Sequence, residues 1–157
     1  MMFPFRFFRA LNKRIVENYR RGIGPVNITL LLTTTGRKSG LPRITPVQYE
    51  EVDGLIYVGS ARGQKSDWFK NILADPRVHV QIQKREFDAI AEAVTDTRRM
   101  ADFIQLRVQR HPIMLRLIMF LADGLPFNFD RAQLEKYCEN RAMVILRPVE
   151  SQEESPA

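Results

Sequence analysis

The sequence predicts an α+β domain in which about six mostly antiparallel strands form a sheet or small barrel, with helices added to it. Three observations carry this. Strand-like runs are joined by hairpin turns, with Asp53-Gly54 the strongest and Lys84-Arg85 a second. Val78, Val80 and Ile82 alternate with His79, Gln81 and Gln83, the period of a half-buried strand. Helical patterns collect in the second half of the chain instead of alternating with strands, which argues against a doubly wound parallel sheet. The 157 residues suit one domain, and no repeat or linker divides them.

Residues 5–20 read as a basic amphipathic helix, because Phe5, Phe8, Leu11, Ile15 and Tyr19 recur at spacings of three and four. Gly22, Gly24 and Pro25 end it, so the N-terminal helix occupies the first 22 residues or so. Ile28 to Thr35 and Arg43 to Val52 are strands, and Leu55 to Ser60 returns antiparallel after Asp53-Gly54. Ser66 is placed to cap a helix through Leu73, which Asp75-Pro76 closes. A strand at 78–82 pairs with one from Phe87 to Val94.

Asp96 or Thr97 then caps a helix to Arg110 with Met100, Phe103, Ile104 and Val108 on one face. A more apolar helix runs from Pro112 to Gly124. Asp130 with Gln133 has the form of a capping box opening a helix that ends near Asn140. Ala142 to Leu146 is the last strand, and the polar residues 150–157 are expected to be a disordered tail.

Apolar content of 45% and charge of 27% are ordinary for a soluble globular protein, while a net charge of +6 favours anionic partners. Nucleic acid ranks low among these because no recognition motif is present. Cys138 is the only cysteine, which excludes an intrachain disulfide and suits a reducing compartment. His79 and His111 lack metal-ligand spacing, so no metal site is expected. The start of the chain has no uninterrupted apolar region, and the run Pro112 to Leu121 is too short to span a bilayer. A cytoplasmic protein is expected, with two readings for residues 3–20: peripheral contact with an acidic membrane, or a cover for the barrel or a partner subunit. The apolar run 113–121 offers a surface for a homodimer.

Two strand exits hold the chemistry. The first is Gly36-Arg37-Lys38-Ser39-Gly40 with Arg43 close behind. The second runs from Ser60 through Arg62, Gly63 and Lys65 into the helix at Ser66, whose free N–H groups favour an anion. Cations, hydroxyls and backbone N–H groups all donate to phosphate oxygens. Lys38-Ser39 lacks the glycine and strand-to-helix setting of a nucleotide-hydrolysing loop. Trp68 either covers a flat heterocycle or packs in the core, and Asn71 shares its helix face. Tyr49 and Tyr57 are candidate proton donors, with packing as the alternative.

The strings LLTTTGRKSGLPRITPV and VGSARGQKSDWFKNILADPRVHVQI, over roughly residues 26–95, resemble the deazaflavin-dependent nitroreductase family. The resemblance implies a split β-barrel that binds the deazaflavin coenzyme F-420, whose phosphodiester and polyglutamate tail match the cations above. It places phosphate contacts on Arg37, Lys38, Ser39 and Arg43. Ring-side contacts fall on Thr45, Pro46 and Val47 and on Ser60, Ala61, Arg62 and Gly63, with Lys65, Trp68 and Asn71 completing the pattern. The implied activity is hydride transfer from the reduced deazaflavin to a small-molecule acceptor, a quinone, enone or nitroaromatic. Ser60, Tyr49, Tyr57 or solvent supplies the proton. The chain departs from the family in its helical insert between about 96 and 140, and in Arg62, which stands where other members hold glycine. The alternatives are a flavin mononucleotide (FMN) reductase of the same fold and a non-catalytic carrier of a fatty acid or other hydrophobic ligand.

Overall fold

The computed structural model describes residues 13–24, 26–60 and 62–149. Six strands close into an antiparallel barrel: β1 (Thr29–Thr35), β2 (Pro42–Val52), β3 (Leu55–Ser60), β4 (Arg77–Ile82), β5 (Arg85–Val94) and β6 (Ala142–Pro148), in the order β1-β2-β3-β6-β5-β4. Helix α1 occupies residues 13–20. A short 3-10 turn (Gly63–Lys65) leads into α2 (Asp67–Ala74), and α3 (Thr97–Arg110), α4 (Pro112–Asp123) and α5 (Arg131–Cys138) lie between β5 and β6. The expected architecture of a six-strand barrel with a helical insert before the last strand is the one observed.

Alternation sorts the side chains into an inner and an outer core. Leu30, Leu32, Ile56, Val58, Val80, Val144 and Leu146 fill the barrel, and Trp68, Phe69 and Ile72 of α2 join them. Their strand neighbours Met143, Ile145 and Tyr57 face outward and are covered by Met100, Phe103, Leu134 and other residues of the helical insert. On another outer face Val16 and Tyr19 of α1 pack on Leu31.

The turns explain the register. Asp53 and Gly54 both adopt positive φ (52° and 79°), as a two-residue hairpin of the primed type requires, and they set Val52 opposite Leu55. The second hairpin turns at Gln83-Lys84 and not at Lys84-Arg85, because Arg85 is already paired with Ile82. Gln83 holds a positive φ of 53° there, with its N–H donated to the Tyr19 hydroxyl at 2.7 Å.

Helix ends follow the sequence with two corrections. Of the two caps offered for α3, Asp96 is the one used, accepting from the Arg99 N–H at 2.9 Å. Ser66 stands at the N-cap of α2 but makes no cap bond, since its hydroxyl is engaged elsewhere. α5 stops at Cys138, short of Asn140, as the chain turns back with Arg141 N–H on the Cys138 carbonyl. Its start is a complete capping box of Asp130 and Gln133. Replacing Asp130 with Ala is therefore expected to lower stability by about 1 kcal/mol, read as a shift in the urea midpoint with an unchanged slope.

The apolar stripe expected for the N-terminal helix is corrected by its described part. Ile15 is exposed, and Val16 with Tyr19 is buried, because those two share the face turned to Leu31. The expectations for residues 3–12 and 150–157 lie outside the described residues. No helix among the described residues is long and apolar enough to cross a membrane.

The barrel is split along one seam. β2 pairs with β1 from Pro42 to Gln48 but with β3 only from Tyr49 to Val52. Among the described residues, the other edge of β2 from Pro42 to Gln48 therefore has no strand partner. Backbone groups on that edge are not paired within the sheet.

Candidate active site

The two basic segments meet at the start of α2. The loop after β1 is closed by its own bonds: Gly36 N–H to the Leu41 carbonyl and Gly40 N–H to the Gly36 carbonyl, both 2.8 Å. Gly40 supplies the positive φ (69°) that lets the chain reverse. The Ser39 hydroxyl accepts from the Leu41 N–H at 3.2 Å and from the Arg43 guanidinium at 3.4 Å, which aligns Arg43 beside the loop.

Arg37 anchors this loop to α2. Its guanidinium donates to Asn71 Oδ1 at 2.9 Å and pairs with Asp67 at 3.2 Å, while its backbone N–H donates to the same Asn71 oxygen at 3.2 Å. Asn71 is buried, and its amide Nδ2 donates to the buried Thr34 hydroxyl at 3.2 Å. Arg37 is thus tied to α2 by hydrogen bonds to Asn71 and Asp67, and both polar atoms of the Asn71 side chain are engaged, the oxygen by the loop and the nitrogen by β1. Asp67 and Thr34 were missed, although an acid in the first turn of α2 was a visible partner for a basic loop.

Lys38, Arg43, Arg62 and Lys65 are different: none of them forms an ion pair among the described residues. Lys38, Arg62 and Lys65 are also exposed. Cations left unneutralised around one loop and one helix start suit an anionic group.

The residues of the second exit are more constrained than expected. Ser60 is buried; its hydroxyl donates to the Gly63 carbonyl at 2.7 Å and lies 2.6 Å from that of Ser66. A hydroxyl so committed is not a free proton donor. Gly63 is buried with φ +61°, and a methyl group there would overlap the Asn140 backbone carbonyl. It is a packing position between the 3-10 turn and the α5–β6 connection. Ala61 lies outside the described residues. Trp68 belongs to the barrel core, edge-on to Phe69 at 6.2 Å between ring centroids, and not to a lid over a ring.

The strand register separates residues that the sequence grouped. Thr45 and Val47 stand opposite Leu32 and Leu30 on the inner side, whereas Pro46 stands opposite Leu31 on the outer side. Tyr49 pairs with Val58 and packs against the inner core. Tyr57 pairs with Glu50 and stacks on Phe103 at 4.7 Å on the outside. The two phenols therefore cannot serve one site. Burial pushes the Tyr49 pKa up, aided by nearby Tyr19 and Glu51.

Beside the split, a cavity of about 350 Å³ opens between α1 and β2, lined by Ile15, Tyr19, Ile23, Pro46 and Val47 among others. The sequence pointed to Pro46 and Val47 but not to α1 as the opposite wall. The available signal was the Ile15–Tyr19 end of the apolar stripe, which lines that wall.

A six-strand barrel with one unpaired seam is a split β-barrel, and in this one a basic loop and a basic helix start come together at α2. The F420H(2)-dependent quinone reductase family profile matches residues 5–114, and the chain belongs to that family of oxidoreductases. F420H(2)-dependent quinone reductase Rv1261c of Mycobacterium tuberculosis is 33% identical over 69 residues, 42% of this chain and 46% of the relative. The chain thus matches about half the length of such curated relatives. Among solved structures, an F420-H2 dependent reductase (FDR-A) superposes with a TM-score of 0.51 at 23% identity, covering 76% of this chain and 93% of that one. The heme storage protein HutZ from Vibrio cholerae superposes with a TM-score of 0.54 at 16% identity, covering 88% and 90%. These structures share the fold, and the barrel by itself does not select a ligand.

Proposed function

We propose that this protein is a deazaflavin-dependent reductase that holds coenzyme F-420 along the split, with its anionic tail on Lys38, Arg43, Arg62 and Lys65. The observation that carries the reading is that Lys38, Arg43, Arg62 and Lys65 have no acid partner among the described residues, on two segments that both reach α2, where Arg37 and Asn71 pin the basic loop. The donor chemistry fits the group: hard anionic oxygens for the cations, and an unpaired β2 edge for a planar ring carrying amide-like atoms. Bound there, the reduced coenzyme supplies a hydride to an electrophilic acceptor.

The chain's own part is to bind, orient and exclude water. The apolar cleft of Ile15, Tyr19, Ile23, Pro46 and Val47 is the proposed acceptor site, and its volume of about 350 Å³ suits a quinone, enone or nitroaromatic ring. Pro46 and Val47 border both the cleft and the seam, which brings acceptor and coenzyme to one strand. With the Ser60 hydroxyl committed and Tyr57 on the far face, water supplies the proton, with Tyr49 the remaining side-chain donor.

Titrating the protein with oxidised coenzyme F-420 and with FMN in parallel tests this. Replacing Lys38 and Arg43 together by Ala is expected to weaken F-420 binding by about 10- to 100-fold, at roughly one charge-assisted contact each. It should also flatten the dependence on salt. Preference for FMN, or binding indifferent to both substitutions, would overturn the assignment.

A further inference from the structure

Helix α4 turns its apolar side away from the protein. Leu115 and Met119 are buried against the outer core, while Ile113, Met114, Leu117, Ile118, Phe120 and Leu121 are exposed, Ile113 at 74% and Leu121 at 72%. At about 100° per residue these six fall within an arc of roughly 160°, a face as wide as that by which a helix ordinarily enters a core. The two charged residues of the helix are bonded elsewhere. Arg116 donates to the Phe127 carbonyl at 2.9 Å and lies over the Phe129 ring, and Asp123 accepts from Tyr137 at 2.8 Å and from Arg141 at 3.1 Å.

We propose that this face is the interface with a second copy of the chain, the two α4 helices crossing antiparallel on a two-fold axis between Leu117 and Ile118. Those residues are the midpoint of α4. Rotation about that point sets Met114 opposite Leu121 of the partner subunit and Leu117 opposite Ile118 of the partner subunit. Apolar surface therefore meets apolar surface over the whole helix, as a self-complementary contact requires. Six side chains exposed to this degree present on the order of 600 Å² per copy, at the upper end of what a monomer leaves bare. Two copies bury at most roughly 1,200 Å², which reaches the lower end of stable interfaces. A bilayer surface fits less well, because neither charge of α4 is free to meet a lipid headgroup.

Sedimentation of the full chain tests the assignment, with twice the 18.3 kDa chain mass expected for the wild type. Leu117→Glu brings two carboxylates together across the axis and is expected to weaken the dimer at least 100-fold, leaving circular dichroism and F-420 affinity unchanged. Leu117→Cys is expected to give a disulfide-linked dimer on mild oxidation, since the native Cys138 is buried. A monomeric wild type, or a dimer insensitive to Leu117→Glu and not cross-linked through Leu117→Cys, overturns the proposal. So does a wild-type monomer that floats with phosphatidylglycerol vesicles, or one that dimerises only when residues 1–12 are removed, since those assign the face to lipid or to the chain's own start. The coenzyme titration is independent of all these readouts, so failure here and failure of the reductase reading are separable.

Discussion

Replacing Gly63 with Ala is expected to destabilise the protein by about 3 kcal/mol, a large share of the ~5–15 kcal/mol that holds a domain of this size together. Two costs combine. At φ +61° a side chain is disfavoured by roughly 1–2 kcal/mol, and the new methyl would overlap the carbonyl oxygen of Asn140. That oxygen belongs to backbone and cannot swing aside as a side chain would, so the turn and the α5–β6 connection must part. Parting them breaks the bond between Ser60 and the Gly63 carbonyl. It also displaces Arg62 and Lys65, so F-420 affinity should fall with stability. Urea denaturation decides it: a loss below about 1 kcal/mol would mean that turn and connection do not touch.

Asn71→Leu is the second large effect, about 3 kcal/mol with an F-420 affinity reduced about tenfold. The leucine fills the space but leaves the Arg37 backbone N–H and the buried Thr34 hydroxyl without partners, at roughly 1–3 kcal/mol for each buried group. Arg37→Ala, which removes a partly exposed ion pair and leaves the backbone bond, should cost only about 1 kcal/mol. Because Asn71 acts through the loop, its substitution should lower stability and affinity together. Reduced affinity at unchanged stability would make it a direct ligand of the coenzyme and refute the positioning role.

The barrel was legible because each of its signals is local. Alternation at Val78, Val80 and Ile82, a glycine turn at Asp53-Gly54 and a capping box at Asp130 each act within a few residues. The opposite facing of Tyr49 and Tyr57 was not drawn from the sequence, although the turn implies it. A two-residue turn at 53–54 pairs 49 with 58 and 50 with 57, so the two tyrosines differ by one step of the pleat. What the sequence concealed was which polar groups are already satisfied. Arg37 and Lys38 are alike as neighbours in a basic loop, and only the fold brings Asp67 and Asn71, 30 and 34 residues away, to one of them. Ser60 was hidden in the same way, its hydroxyl taken by groups on a turn whose shape depends on Asn140.

The place of β6 in the sheet sets the order in which the protein can assemble. Without it the remaining strands run β3-β2-β1-β4-β5, an open ribbon with two bare edges. β6 bonds to both of those edges, and it supplies side chains to the inner core (Val144, Leu146) and to the outer one (Met143, Ile145). Ribosomes deliver those residues after every other strand and after the whole helical insert. During synthesis the nascent chain therefore carries two unsatisfied strand edges and the uncovered backs of α3 and α5, the surfaces on which growing chains stick to one another. Closure of the barrel therefore waits on β6, which alone among the described strands satisfies both edges at once.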